Sequence, residues 1–354
     1  MSYQTPEDRH EAVARILERL RRARQVILTT HLNADGDGAG SEAALAAWLY
    51  DKQIEVAIVN PTRFPDSFTF LLEDKAWVAD AGSGRAQEMC ASADLAVVLD
   101  TGEVGRIGRV KPLIEHLETI VIDHHLLSAS PIEGLTLRSE DACATGELIY
   151  DLVKAADGPW PRSVVEGIYV AILTDTGSFR FANATSGSHQ IAADLISKGV
   201  DPESIFRQVY GHFPARRMQV LAAALGELEV DDEAGVAWMT VPREVYETSG
   251  ASAEDLDGFV DYPRSIAGIE VALLFRTTTK GDTKVSFRSN GLVDVNKIAR
   301  EFGGGGHAMA SGALVRGSLE EVRDHIVDAS REAVRSATGR RGRSVRRGLS
   351  RALD

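Results

Sequence analysis

The chain has only two cysteines in 354 residues, Cys90 and Cys143, and no C-x-x-C pair. That leaves no basis for a disulfide framework or a thiolate zinc site. No apolar run approaches the ~20 residues needed to cross a bilayer, so neither a spanning segment nor a membrane partner is expected. The first residues, MSYQTPEDRHEAVARILERL, are charged and lack the uninterrupted apolar centre of a signal peptide. The expected location is cytoplasmic. Positive charge is in deficit: 39 Lys and Arg face 52 Asp and Glu, a formal net charge of −13. This excludes coating of long nucleic acid or of an anionic membrane through the overall field. An anionic substrate therefore needs a local cluster of Arg, Lys, His or metal. Apolar material is not scarce: 44% hydrophobic against 26% charged residues is ordinary for a globular protein, and the length suits two domains.

The first half alternates strand-like and helix-like segments. Apolar runs at Gln25–Thr30, Ile54–Val59, Leu95–Leu99 and Thr119–Ile122 are nearly continuous, as in strands buried on both faces of a parallel sheet. An Ala-rich helix follows from about Ser41 to Tyr50. The fold class is α/β: a doubly wound, mainly parallel sheet in the N-terminal domain, with a smaller α/β domain after it. The expected divisions are a catalytic domain over 1–200, a helical linker over 201–229 and a second domain over 230–336. The basic tail, 337–354, is expected to be disordered; GRRGRSVRRGLSRALD holds six Arg and one Asp. In the second domain, strands are expected at Val236–Val241, Ile269–Thr277 and Lys284–Arg288. Helices are expected at Val293–Phe302 and from Leu319.

Chemistry gathers where the strands of the first half end. Thr30-His31-Leu-Asn-Ala-Asp35-Gly-Asp37-Gly38 follows one strand directly, in a turn where Gly36 and Gly38 permit positive φ. One imidazole with several carboxylates suits hard or borderline ions such as Mn²⁺ or Mg²⁺. A calcium EF-hand loop fails, because its twelfth position falls on Ala44 and the flanks are strand then helix. Asp100 ends a second strand, and Asp123-His124-His125 ends a third. Asp175 follows the apolar, helical segment Gly167–Thr174, in a loop that carries Arg180. In open α/β sheets, sites lie just beyond the strands' carboxyl ends. In the second half, Arg288-Ser289 ends a strand, and Gly304-Gly305-Gly306-His307 forms a glycine-rich segment without the Lys-Ser/Thr of a Walker loop. Glycine lets backbone N–H groups approach a phosphate, and Arg288 offers a fork of donors.

HxxxDxD, the lone Asp100, DHH and Asp175, followed by the Arg288 and GGGGH segments, together resemble the DHH/DHHA1 phosphoesterase superfamily. The nearest resemblance is to the subfamily of bifunctional oligoribonucleases (nanoRNases) and 3′-phosphoadenosine 5′-phosphate phosphatases. It implies two divalent ions per subunit, Mn²⁺ preferred and Mg²⁺ accepted. His31, Asp35 and Asp100 would hold one ion; Asp37, Asp100, His124 and Asp175 would hold the other, with Asp100 bridging. His125 would stand beside the site, placing substrate, assisting the leaving oxygen or orienting the metal site. Arg180, Arg288, Ser289, Gly304, Gly305, Gly306 and His307 would bind substrate, with the active site in the cleft between domains and a homodimer as the assembly. The implied substrates are RNA oligonucleotides of about two to five residues, linear dinucleotides such as pApA, and 3′-phosphoadenosine 5′-phosphate. A cyclic di-AMP phosphodiesterase is the alternative. A single-strand exonuclease, an inorganic pyrophosphatase and a non-catalytic nucleotide-binding module fit less of the pattern.

Overall fold

The computed structural model describes residues 3–127, 130–211, 213–278 and 280–351, with side chains as far as residue 339. The chain divides into two compact units, Met1–His212 and Phe213–Asp354. In the first, six strands form one sheet: β1 (Gln25–Thr29), β2 (Glu55–Asn60), β3 (Val78–Asp80), β4 (Leu95–Leu99), β5 (Thr119–Asp123) and β6 (Leu135–Arg138). Every pairing is parallel and the order is β3-β2-β1-β4-β5-β6. The chain therefore starts in the middle, winds outward on one side, and returns to wind outward on the other. The reversal falls between β1 and β4, and a crevice opens at the carboxyl ends of strands at such a point. The doubly wound expectation holds.

The helices of this unit are α1 (His10–Leu20), α2 (Gly36–Asp51), α3 (Gly84–Ser92), α4 (Lys111–Ile114), α5 (Thr145–Ala155), α6 (Arg162–Asp175), α7 (Ser186–Ser197) and α8 (Pro202–Tyr210). Alternation along the strands builds a core on each face of the sheet. Val26, Leu28, Val56, Ile58, Val97 and Leu99 join the larger core, which includes residues of α1, α2, α5 and α6. Ile27, Ala57, Val59, Ala96 and Val98 meet residues of α3 and α4 on the opposite face.

Helices α2, α5 and α6 pack with almost no side chain between them. A Cβ on Gly36 would lie 2.4 Å from the Thr174 side chain, one on Gly40 2.5 Å from the Gly167 carbonyl oxygen, and one on Gly146 2.4 Å from Ala171 Cβ. This corrects the reading of the Asp-Gly segment. Gly36 and Gly38 lie inside α2, which begins five residues earlier than expected, and neither has a positive φ. They are required for close approach; a Cβ on Gly38 would stand 2.8 Å from Thr30 Oγ1.

The second unit carries β7 (Leu228–Asp231), β8 (Val236–Val241), β9 (Val271–Thr277), β10 (Thr283–Ser289), β11 (Gly305–Gly306) and β12 (Ala310–Val315). They form one sheet in the order β11-β12-β10-β9-β8-β7, antiparallel except between β8 and β9. Its helices are α9 (Ala215–Gly226), α10 (Arg243–Thr248), α11 (Asp261–Arg264), α12 (Val295–Glu301) and α13 (Leu319–Arg351). The stretch expected to be a linker, 201–229, is shared out. Ile205 of α8 belongs to the first unit's core, while Val220, Leu221 and Ala224 of α9 pack with Met239 and Phe259 in the second. The tail expected to be disordered is a continuation of α13 as far as Arg351, and residues 352–354 lie outside the described residues.

The glycine packing is open to test. A Cβ on Gly167 would approach the Gly40 carbonyl oxygen to 2.6 Å. Gly167→Val should therefore cost about 1–3 kcal/mol of stability, the usual range for overpacking. A urea unfolding midpoint equal to that of the wild type would show that α2 and α6 have room to part.

Candidate metal centre

The site is assembled at the carboxyl ends of β1, β4 and β5 and at the ends of three helices. Asp35 caps the start of α2: its Oδ1 accepts from the N–H groups of Asp37 at 3.0 Å and Gly38 at 3.2 Å. Its Oδ2 is 3.9 Å from His31 Nε2. The Nδ1–H of His31 donates to the Leu32 carbonyl at 2.9 Å, which leaves Nε2 turned toward Asp100 Oδ2 at 3.2 Å. An imidazole held in this way at one nitrogen offers the other as a metal ligand.

Asp37 is buried in the first turn of α2. It accepts from Ser41 Oγ at 3.1 Å, from Thr145 N–H at 2.6 Å and from Gly146 N–H at 3.0 Å. The last two are unpaired backbone donors at the start of α5, where the helix dipole also favours a carboxylate. Asp100 immediately follows β4 with φ of 58°, a left-handed conformation that Asp tolerates better than most residues. Its Oδ1 accepts from Thr145 Oγ1 at 3.1 Å. Thr145 thus serves both buried aspartates, through its backbone and its hydroxyl.

His124 follows β5. Its Nε2 is buried and makes no hydrogen bond. It nevertheless faces three carboxylate oxygens: Asp100 Oδ1 at 3.5 Å, Asp37 Oδ2 at 3.6 Å and Asp175 Oδ2 at 3.8 Å. His125 turns to Asp123, with Nδ1 2.8 Å from Asp123 Oδ1 and 3.6 Å from Asp100 Oδ1.

Three sets of potential ligand atoms lie within 4.8 Å of one another: His31, Asp35 and Asp100; Asp37, His124 and Asp175; Asp100, His124 and His125. Donors about 2.0–2.2 Å from one ion stand roughly 3–4 Å apart, which matches these spacings. The His124 nitrogen and the three oxygens facing it form a donor set that suits a cation. Asp100 reaches both sets, with Oδ2 toward His31 and Oδ1 toward His124.

The charges point the same way. Burial, with Asp100 nearby, drives Asp37 well above the usual carboxylate range. Burial and the same neighbour push Asp175 up to about 6. Burial would raise Asp100 too, but the adjacent His124 and His31 rings outweigh it and hold Asp100 low. Burial would lower His124, yet Asp100 and Asp37 lift it to about 10. Carboxylates this crowded are relieved by positive charge.

The remaining candidates divide. Arg180 is exposed and its Nε donates to the Gly177 carbonyl of its own loop at 2.7 Å. Arg288 and the turn at His307 come to the same end of the second sheet, because Arg288 pairs with Ala310 and Ser289 N–H donates to Met309 O at 3.0 Å. Ser289 itself is committed to the fold: its Oγ donates to Glu270 at 2.9 Å and accepts from Gly291 N–H at 3.0 Å. Gly304 and Gly306 are likewise explained by packing, since a Cβ would lie 2.2 Å from Gly312 O and 2.6 Å from Ala310 O respectively. At Gly305 a Cβ would have space. Thr145, Gly146 and Asn183 were not anticipated. Two act through backbone groups, and no spacing rule links them to the aspartates.

Residues 25–172 match the DHH family, N-terminal domain, and residues 236–336 match the DHHA1 domain. The chain thus carries a DHH N-terminal domain followed by a DHHA1 domain. It is 29% identical over 342 residues to a bifunctional oligoribonuclease and PAP phosphatase of Thermus thermophilus, covering 95% of this chain and 99% of that one. The Bacillus subtilis protein of the same description is 28% identical over 82% of this chain and 89% of its own. Among solved structures, an exopolyphosphatase-related protein from Bacteroides fragilis superposes with a TM-score of 0.85 at 26% identity, over 91% of this chain and 96% of that one.

Behind the site, Glu42 on α2 is fully buried. It accepts from Asn60 Nδ2 at 2.8 Å, and Asn60 in turn accepts the Thr30 N–H at 3.1 Å, fixing the backbone just before His31. Burial pushes the Glu42 carboxyl from 4.5 up to about 8. Between those values the folded chain keeps a proton that the unfolded chain releases, so stability falls as pH rises and levels above about pH 8. Glu42→Gln removes this dependence. Its urea midpoint should exceed that of the wild type by a margin that widens from pH 5 to pH 8; a constant margin would show that Glu42 ionises normally.

Proposed function

We propose that the chain is a metal-dependent phosphoester hydrolase that cleaves short oligoribonucleotides, linear dinucleotides included, to mononucleotides and removes the 3′-phosphate from 3′-phosphoadenosine 5′-phosphate. The observation that carries this reading is the pair of ligand sets joined through Asp100 at the reversal point of the sheet. Support for the substrate class comes from the T. thermophilus and B. subtilis relatives, aligned over most of their lengths.

His31, Asp35 and Asp100 would hold one divalent ion, and Asp37, Asp100, His124 and Asp175 the other, with Mn²⁺ favoured over Mg²⁺. Such a pair lowers the pKa of water and neutralises phosphoryl oxygens. The chain's own residues do the rest. The start of α5 keeps Asp37 and Asp100 oriented, through Thr145 and Gly146. Asp123 holds His125 at Nδ1, so that the ring's far side can meet the leaving oxygen or a substrate phosphate. Arg288 and His307, at one end of the second sheet, would bind the substrate's other phosphate. Burial draws the Arg288 guanidinium below its ordinary pKa, the state of a poorly hydrated cation that gains by meeting an anion. An acidic chain with a local cationic set favours a small anion over a long strand.

Purified protein with Mn²⁺ should turn over pApA and 3′-phosphoadenosine 5′-phosphate, and should act on a 24-mer RNA far more slowly, with or without residues 339–354. Turnover of pyrophosphate with none of the dinucleotide would overturn the reading, as would equal efficiency on pApA and the 24-mer by the truncated chain. Asp100→Asn should abolish hydrolysis on every substrate. Arg288→Ala should instead raise KM by about 10–100-fold, corresponding to the ~1.5–3 kcal/mol of a hydrogen bond to a charged group, while leaving Mn²⁺ binding unchanged. Loss of Mn²⁺ with an unaltered KM would remove Arg288 from substrate binding.

A further inference from the structure

Asp175 is held differently from its neighbours. Asp37 sits against the start of α5, where N–H groups and the helix dipole favour a carboxylate. Asp175 is the last residue of α6, the helix end that disfavours negative charge, and its side chain is 29% exposed. A carboxylate so placed would turn to water, yet Oδ2 stays within 3.8 Å of His124 Nε2.

The restraint comes from Asn183. Its Nδ2 donates to Asp175 Oδ2 at 3.1 Å and to the Cys143 carbonyl at 2.9 Å, with the Asp175 carbonyl 3.2 Å away. Three acceptors around one nitrogen settle the orientation of the amide, since turning it would set its oxygen against all three. Between the two residues the chain passes through three successive left-handed positions, Gly177, Ser178 and Phe179, with φ of 56°, 61° and 61°. That tight return brings Asn183 back to the residue it left eight positions earlier. Cys143 lies two residues before Thr145. The same amide therefore ties the carboxylate at the end of α6 to the segment whose next N–H groups hold Asp37.

We propose that Asn183 is a positioning residue for the ion held by Asp37, His124 and Asp175: it aims the Asp175 carboxylate inward and fixes its distance from the start of α5. This rests on the reading of those three residues as a metal site. The distinctive feature is the donor, because Asp at 183 would keep the shape and set a carboxylate against Asp175.

Mn²⁺ binding followed by calorimetry, with the electron paramagnetic resonance signal as a second readout, tests the idea on the full chain. The wild type should bind two ions with the broadened, coupled signal of a pair. Asn183→Ala should weaken one of the two ions by roughly 10–100-fold, the usual effect of removing a hydrogen bond behind a ligand. Asn183→Asp should weaken the same ion further, and both variants should give the sharp signal of a single Mn²⁺ at limiting metal. Raising Mn²⁺ should restore much of the turnover in Asn183→Ala. Two ions of unchanged affinity in both variants would overturn the proposal. So would an equal loss of both ions accompanied by a lowered unfolding midpoint, which would mark a merely structural amide. Absence of Mn²⁺ binding in the wild type would instead overturn the metal reading beneath it.

Discussion

Carboxylates withdrawn from water and crowded together are the constraint on which the rest of the first unit depends. Asp37 and Asp100 are buried, and Asp35 and Asp175 stand at their edge, all within reach of two imidazoles. Alone, such a group repels itself and resists ionisation. Three devices offset this: the N–H groups at the start of α5, the rings of His31 and His124, and, in the reading proposed here, divalent cations. The first device requires α5 to approach α2 closely, and the glycines and alanines between α2, α5 and α6 permit that approach. The small residues that look like a turn motif are thus part of how the charges are tolerated.

The two units divide the chemistry by type. The first supplies anionic and imidazole ligands from a parallel sheet whose strand ends converge on one edge. In the proposed function the second supplies cationic and neutral donors, Arg288 and His307, from the end of a mostly antiparallel sheet. Its glycine-rich segment serves largely to let β11 lie against β12, as the contacts of Gly304 and Gly306 show. Ser289 braces Glu270 and the Gly291 turn. In the proposed reading, anion recognition there falls on the two longer polar side chains, while the small residues keep the end of the sheet closely packed.

Strand β5 shows how a candidate metal centre is kept in place from behind. Asp123, its last residue, is buried and takes the Nδ1 of His125, while His124, one position on, sets its Nε2 among Asp37, Asp100 and Asp175. The two rings lie 4.5 Å apart and both approach Asp100, but only His125 is tied to Asp123. Glu42 and Asn60 perform a comparable service beneath His31, at the cost of a buried carboxyl group.

Local pattern by itself determined the parts of this protein that depend on residue type and short spacing. The nearly continuous apolar runs at residues 25–29, 95–99 and 119–122 read as buried strands, which sets the polar residues directly after them at strand ends. Asp100 and His124 were legible for that reason, His31, Asp35 and Asp37 as the polar segment that opens two residues past β1, and Asp175 as the acidic residue closing an apolar helical segment. The short strands β3, β6 and β7 were not, because edge strands of three or four residues carry too little periodicity to register. Tertiary structure alone decided the order β3-β2-β1-β4-β5-β6, which makes β1 and β4 neighbours and brings Asp100 to His31 across 69 positions of sequence. It also decided the roles of Thr145, Gly146 and Asn183. Backbone N–H groups and a lone amide have no sequence signature, and they become selective only when folding sets them against a particular carboxylate.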